Sequence, residues 1–320
     1  MTRWAVLFCI VAALPAAAAA PSFPSRPIRI VVGFAPGGAA DLSARIVARA
    51  LSDKLGQQVV VENRAGAAGL IANEIVAKAA PDGYTLLSAN SSLSSIPAMY
   101  PKSNFDARRD LTAVALVCIT QNAIVVHPSV PARSVKELIA LGKANPGKLN
   151  FSSSGAGGST HLSAELFKSM AGVDFVHVPY KGQSQAIAAA VAGEVDLTFN
   201  SIGPTLPFVT SGRLRMLATT GSKRSAILPN VPTIAESGVA GYESGSWYGF
   251  AAPAKTPPEI VAKLADAIVG LLNSPEFVEQ IKTTLGADPM GMTSQAMGQF
   301  MAKDTENLTK IITRLGIKGE

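Results

Sequence analysis

The sequence is poor in the residues that covalent, redox and metal chemistry need. Its 320 residues include only two cysteines, Cys9 and Cys118, and three histidines, His127, His161 and His177. Cys9 lies in an N-terminal apolar stretch, so a chain that loses this stretch keeps one thiol and cannot form an intramolecular disulfide. No two histidines stand at i, i+4, which argues against a helical metal site. Charged residues make up 16% and aromatic residues 6% of the chain, and the net charge of +6 is scattered rather than gathered in runs. No basic stretch is interleaved with aromatics, so nucleic acid is a poor partner; a mild positive excess suits a small anion instead. Long apolar runs are missing too, and the uncharged stretch Trp4–Ala20 is short for a membrane span.

The N-terminus has its own pattern. Arg3, an apolar centre and an alanine tract precede Pro21-Ser22, the order of a secretory signal peptide over residues 1–20. Cleavage is expected within Ala17–Ala20, which lowers the formal charge from +6 to +5. Cys9 is not preceded by small residues, which speaks against a lipoprotein anchor. An exported chain without disulfides must rely on its core, and its length is ample for two domains.

Beyond the leader the chain repeats one grammar. Ile28–Val32 reads as a buried strand, followed by Gly37-Gly38 and an amphipathic helix from Asp41 to Leu55. Val59–Val61 is a second strand, Leu70–Ala79 a helix stopped by Pro81-Asp82-Gly83, and Thr85–Leu87 a strand opening onto the polar loop Asn90-Ser91-Ser92. After the apolar stretch Val114–Val126 come a helix capped by Ser134, a strand Leu149–Ser152, a second glycine turn Gly155–Thr160 and a helix from His161 to Met170. Phe175–Val178, Gln185–Ala192 and Val195–Phe199 predict strand, helix and strand. From Pro257 onward the pattern is helical: Pro258–Leu272, Pro275–Leu285 and Ser294–Leu315. Strands alternating with helices predict an α/β protein with largely parallel sheets. Two glycine turns, each between a strand and a helix and one in each half, predict a ligand cleft between two domains.

Neither loop carries a known catalytic signature. The first lacks Gly-Lys-Ser/Thr and cannot be stretched into G-x-G-x-x-G. Its glycines could serve a tight turn alone, and Asp41 reads first as a helix N-cap. In the second, Gly157-Gly158-Ser159-Thr160-His161 fails the G-x-S-x-G elbow at its last position. A serine hydrolase using Ser154 or Ser159 would need a base. His161 is a poor one, because it opens a helix whose positive end lowers imidazole basicity. Hydroxyls and amides clustered without an acid or base look like a hydrogen-bonding cradle.

These residues fall into the ordered motifs of a known family. Pro24-Ser25-Arg26-Pro27-Ile28, Phe34-Ala35-Pro36-Gly37-Gly38 with Asp41, Val61-Glu62-Asn63-Arg64 and Ala80-Pro81-Asp82-Gly83-Tyr84-Thr85 come in register. They are followed by Val178-Pro179-Tyr180-Lys181-Gly182, Gly193-Glu194-Val195-Asp196, Leu228-Pro229-Asn230-Val231-Pro232-Thr233 and Trp247-Tyr248-Gly249-Phe250-Ala251-Ala252-Pro253. The whole mature chain resembles the Bug family, periplasmic solute-binding proteins of tripartite tricarboxylate transporters. The resemblance implies a two-domain Venus flytrap of the periplasmic binding protein type II fold. Its ligands are small carboxylates: di- and tricarboxylates, amino acids or aromatic acids. It implies a carboxylate held, often through bridging water, between Phe34–Asp41 and Ser153–His161.

The expected site therefore comprises Phe34, Pro36, Gly37, Gly38 and Asp41 from the first loop and Ser153, Ser154, Gly157, Ser159, Thr160 and His161 from the second. Ser91, Lys181, Asn200 and Trp247 are candidates for the distal part of the ligand. No catalytic residue, metal or cofactor is expected. The expected partners are the ligand and the membrane permease subunits, or a signalling receptor if the protein senses rather than transports; the chain is expected to be a monomer. The domains are expected at 21–123 plus 246–320 and at 124–245, crossing near Gln121–Ile124 and Ser244–Gly249, with the C-terminal helices packed back on the first. The chain departs from the family in Gly33, Ala39-Ala40, Ala65 and Gln183-Ser184-Gln185, where small residues and proline are usual at the last of these.

Overall fold

A computed structural model describes residues 23–317. The expected signal peptide therefore lies outside the described residues. The elements are β1 (Ile28–Val32), α1 (Ala39–Leu55), β2 (Val59–Asn63), α2 (Leu70–Ala77), β3 (Thr85–Asn90), α3 (Ser92–Met99), α4 (Ala107–Asp110) and β4 (Leu111–Val126). They continue with α5 (Val135–Ala144), β5 (Asn150–Ser153), α6 (Ser159–Ala171), β6 (Val176–Pro179), α7 (Gln183–Ala192), β7 (Leu197–Ser201), α8 (Ile202–Thr210) and β8 (Arg215–Thr219). The chain closes with β9 (Gly245–Pro253), α9 (Pro258–Val269), α10 (Pro275–Leu285), β10 (Ala287–Thr293) and α11 (Ser294–Leu315).

Two sheets share one long strand. In the first, β2, β1 and β3 run parallel, and β9 and β4 continue the sheet antiparallel. In the second, β6, β5 and β7 run parallel and β4 joins antiparallel to β7. The 16-residue β4 pairs with β9 and β10 through Gln121, then with β7 and β8 from Asn122 onward. A run of β-branched and apolar residues buried on both faces can serve two sheets in this way. The sheets are thus mixed, each with a parallel core closed by antiparallel strands, where a largely parallel arrangement was expected.

Helices cover both faces of each sheet. On one face of the first sheet, Ile46, Val47 and Leu51 of α1 pack with Leu264, Ile268, Phe277 and Ile281 of α9 and α10. On the other, Ala72, Leu93, Ile96 and Met297 pack beneath Val31, Leu87 and Trp247. The second sheet is covered by Leu138, Phe167 and Tyr242 on one face and Ile187, Ala190 and Ile202 on the other. Helix α11 packs against α3 but also reaches the second half, where Ile312 meets Leu162 and Ala156.

Several elements differ from the sequence reading. The loop expected at Asn90-Ser91-Ser92 is the start of α3: the Asn90 side-chain oxygen accepts from the Ser92 amide at 3.0 Å and its hydroxyl at 2.6 Å, opening a helix in a serine-rich segment. Helix α1 begins two residues before Asp41, and α6 begins at Ser159 rather than His161. Strand β10 was not anticipated because Pro289 and Gly291 read as turn residues; the strand carries a register shift between Pro289 and Met292 that accommodates them.

Candidate functional site

The first loop leaves the C-terminal end of β1. Gly37 has φ +84°, a left-handed conformation that a side chain resists. Gly38 has an ordinary extended backbone and is the N-cap of α1, with no side chain to satisfy the first amides. The Ala39, Ala40 and Asp41 amides therefore open the helix without intrahelical acceptors. Asp41 is not the N-cap that the sequence suggests. It lies in the first turn, and its buried carboxylate accepts from the Gly37 amide, Arg45 Nε and Asn63 Nδ2, each at 2.9 Å. Burial alone would raise its pKa, but the hydrogen bonds from Arg45, Gly37 and Asn63 outweigh this and hold it below the usual value. Asn63 also donates to the Phe34 carbonyl at 3.0 Å. Asp41 thus braces the loop from behind, with its oxygens already engaged.

The second loop leaves β5. The Ser154 amide donates to Thr160 Oγ1 at 2.8 Å, and the two hydroxyls lie 2.9 Å apart. The Gly157 amide donates to His161 Nδ1 at 3.1 Å. That bond requires an unprotonated Nδ1, and burial, with help from His177 and Lys168, pushes the His161 pKa down to about 3. His161 stacks on His177 at 4.0 Å between ring centroids. His177 lies 2.6 Å from the Ser153 hydroxyl, and burial with nearby Lys168 lowers its pKa to about 4. The only serine of this loop bonded to a histidine is thus Ser153, which is fully buried. Ser154 is bonded to Thr160 instead. The histidines shape the loop, whereas the hydrolase alternative needs one of them at an accessible serine.

Each loop is bonded across the boundary between the sheets, the first to the turn that opens α7 and the second to α3. The Ala35 amide donates to the Lys181 carbonyl at 3.1 Å, Ser184 Oγ to the Pro36 carbonyl at 2.7 Å, and Ser95 Oγ to the Gly157 carbonyl at 2.7 Å. Between them lies a small cavity of about 20 Å³ lined by Phe34, Gly38, Ala39, Ala40, Asn90, Ser154, Ser159, Gln183, Ser246 and Tyr248. No charged side chain lines it. A vestibule of about 260 Å³ outside it shares Phe34 and Ser154 and is bordered by Tyr180 and Lys181.

The structure thus brings Phe34, Gly38, Ser154 and Ser159 to one cavity. Pro36 and Gly37 stand exposed at its rim, and Ser153, Gly157, Thr160 and His161 support the second loop from within. Asn200 is buried in β7 with its amide donating to Thr198 Oγ1 at 2.5 Å. Ser91 bonds Ser246 at 2.7 Å, and both line a second cavity of about 650 Å³ beside α11, which shares Ser159 and Ser246 with the smaller one. Trp247 faces that larger cavity and donates to Asp304 at 2.7 Å. Sequence reasoning did not name Tyr248, which lines the smaller cavity; successive strand residues face opposite sides, so Trp247 and Tyr248 line different cavities. It also missed Gln183, Asn90 and Ser246; the departure at Gln183 from the usual small residues was the available signal.

The family model described as the tripartite tricarboxylate transporter family receptor matches residues 43–317. The chain belongs to this family. It is 36% identical over 314 residues to the protein BugT of Bordetella pertussis, covering 98% of this chain and 96% of that one. Among solved structures it is similar to the R. palustris protein Rpa4515 with adipate (35% identity, TM-score 0.90, 92% of this chain and 99% of that one). It is also similar to the periplasmic binding protein BugD (32%, TM-score 0.88, 92% and 100%) and to MatC of Rhodopseudomonas palustris with bound malate (30%, TM-score 0.86, 91% and 100%). The fold is therefore the two-domain α/β fold of periplasmic binding proteins, and the family and these neighbours are binding proteins rather than enzymes. Among the described residues no helix is long and apolar enough to cross a membrane, and no cluster of three or more His, Cys, Asp or Glu could hold a metal.

Proposed function

We propose that this protein captures a small carboxylate between the first turn of α1 and the Ser153–His161 loop and passes it to the membrane subunits of a tripartite tricarboxylate transporter. The observation that carries this reading is the convergence of two helix N-termini, α1 from one sheet and α6 from the other, on a cavity with no charged side chain. Helix N-termini favour anions, and backbone amides and hydroxyls bind a carboxylate through charge-assisted hydrogen bonds. The structural neighbours with adipate and with malate support a carboxylate as the class of ligand. No arginine lies in either loop, so amides, hydroxyls and water hold the anion, and the chain leaves it unchanged.

The two lobes are residues 21–123 with 246–320 and residues 124–245, joined where β4 passes from β9 to β7 and where the chain returns into β9. Binding favours closure only by the difference between the ligand's affinities for the closed and open forms. The protein acts as a monomer in the periplasm after cleavage of residues 1–20; the intact mass of the exported chain should place its start within Ala18–Pro21.

A thermal-shift screen against mono-, di- and tricarboxylates tests the ligand class. A ligand at about 100 times its Kd adds about 2.7 kcal/mol to apparent stability, a readily measured shift. No shift with any carboxylate, or ester hydrolysis lost on Ser159→Ala, would defeat the reading.

A further inference from the structure

Gln183, at the start of α7 in the second lobe, crosses the cleft. Its side chain is buried, its carboxamide oxygen accepts from the Ala39 amide in the first turn of α1 at 2.9 Å, and its Nε2 donates to Ser201 Oγ at 3.0 Å. The contact is close along the whole side chain: a Cβ added at Gly38 would lie 3.2 Å from that of Gln183. The same side chain lines the small cavity, whose volume of about 20 Å³ is near that needed for one water.

We propose that Gln183 determines which ligands this cleft accepts, by acting as a built-in competitor for the N-terminus of α1. The inference rests on the carboxylate reading of the site. A neutral amide oxygen takes one of the donors that an anion would use, and it ties the first lobe to the second. A carboxylate that takes the Ala39 amide must displace that oxygen and leave room for the displaced side chain. The bond gained is charge-assisted and stronger than the neutral one lost, so displacement is feasible but reduces affinity. The reduction grows with ligand length, because Gln183 fills the space that a longer chain would need. The cleft as built therefore favours compact carboxylates over extended ones, and the glutamine replaces part of the closing force that a ligand otherwise supplies.

The test uses the mature chain and its Gln183→Ala and Gln183→Glu variants, with malate and adipate as probes. Calorimetric titration should show Gln183→Ala binding adipate about tenfold tighter than the natural chain, with a smaller gain for malate. Gln183→Glu, with a fixed carboxylate at the same helix end, should bind neither. Small-angle scattering without added ligand should show a larger radius of gyration for Gln183→Ala, because the buried bond between the lobes at the start of α1 is lost, while Ala35–Lys181, Ser184–Pro36 and Ser95–Gly157 still tie them. Unchanged or weaker adipate binding by Gln183→Ala overturns the proposal, since it would make the carboxamide a neutral bystander or a direct ligand contact. If neither probe binds the natural chain or Gln183→Ala, removing the glutamine admits neither ligand and its role in ligand choice is overturned, while the carboxylate reading itself is judged by the wider thermal-shift screen. The scattering then judges the latch alone: a larger radius for Gln183→Ala supports it, and an unchanged radius overturns it.

Discussion

Acid should destabilise this protein well above the range in which carboxylates titrate, because two stacked histidines are held neutral. His161 has a pKa of about 3 and His177 one of about 4, against the ordinary 6.5. A base whose folded pKa is depressed contributes stability above its unfolded pKa and loses it as pH falls toward the folded value. At about pH 5 the unfolded chain has taken up a proton at each position that the folded chain refuses. Each histidine then costs about 1.5 pK units, or about 2 kcal/mol. Solvent reaches part of His177, so its share is discounted to about 1 kcal/mol and the pair to about 3 kcal/mol. That is a large part of a typical folding free energy. Urea unfolding followed by circular dichroism at about pH 7.5 and about pH 5 measures the loss. His161→Phe keeps a ring in the stack and removes its titration. It should cost about 1 kcal/mol at both pH values through the lost Gly157 bond, while reducing the acid-induced loss by about 2 kcal/mol. Asp304, whose pKa is raised by burial, works in the opposite sense and is common to both proteins, so the difference between them isolates His161. The same acid-induced loss in His161→Phe as in the natural chain would refute the reasoning.

Gly38→Val should reduce carboxylate affinity at least about tenfold while lowering the unfolding free energy from urea melts by less than about 1 kcal/mol, because its backbone suits any residue and the new side chain meets Gln183 across the cleft. Equal damage to stability and binding would mean that the glycine serves only the turn. Asp41→Asn should cost about 1–3 kcal/mol in unfolding free energy, since a buried carboxylate with three donors loses its charge; a change below the error of the melt would show that the brace is idle. Ser159→Ala should weaken binding about fivefold through one lost hydrogen bond, and calorimetry showing no change would remove this hydroxyl from the site.

Much of the architecture was legible because it rests on local signals. Ile28–Val32 followed by Gly37-Gly38 marks a strand, a left-handed turn and a helix start, and those three features are all present. The Ser134 cap over Glu137 was equally local, and the serine side chain accepts from that residue's amide. The misses depend on long-range pairing or on side-chain reach. Strand β10 exists because β4 offers it an edge, which overrides the turn chemistry of Pro289 and Gly291. Strand β8 is likewise defined by pairing with β4. At the site, the loop glycines and serines were visible as motifs. The partners of Asp41 were not, because Asn63 comes from the neighbouring strand and Arg45 from one helical turn on. Gln183 stood out in sequence as a departure, but only the approach of α7 to α1 gives it a role. Trp247 and Tyr248 show how a single residue of strand phase moves a side chain from one cavity to the other.

The most direct test of the central claim is a crystal structure of the mature protein with the carboxylate that gives the largest thermal shift. The account predicts carboxylate oxygens within about 2.7–3.1 Å of first-turn amides of α1 and of the Ser159 end of α6, directly or through one bridging water, with both lobes in contact with the ligand. A ligand seated in the larger cavity between Trp247 and α11, with the cleft between the two loops untouched, would contradict it.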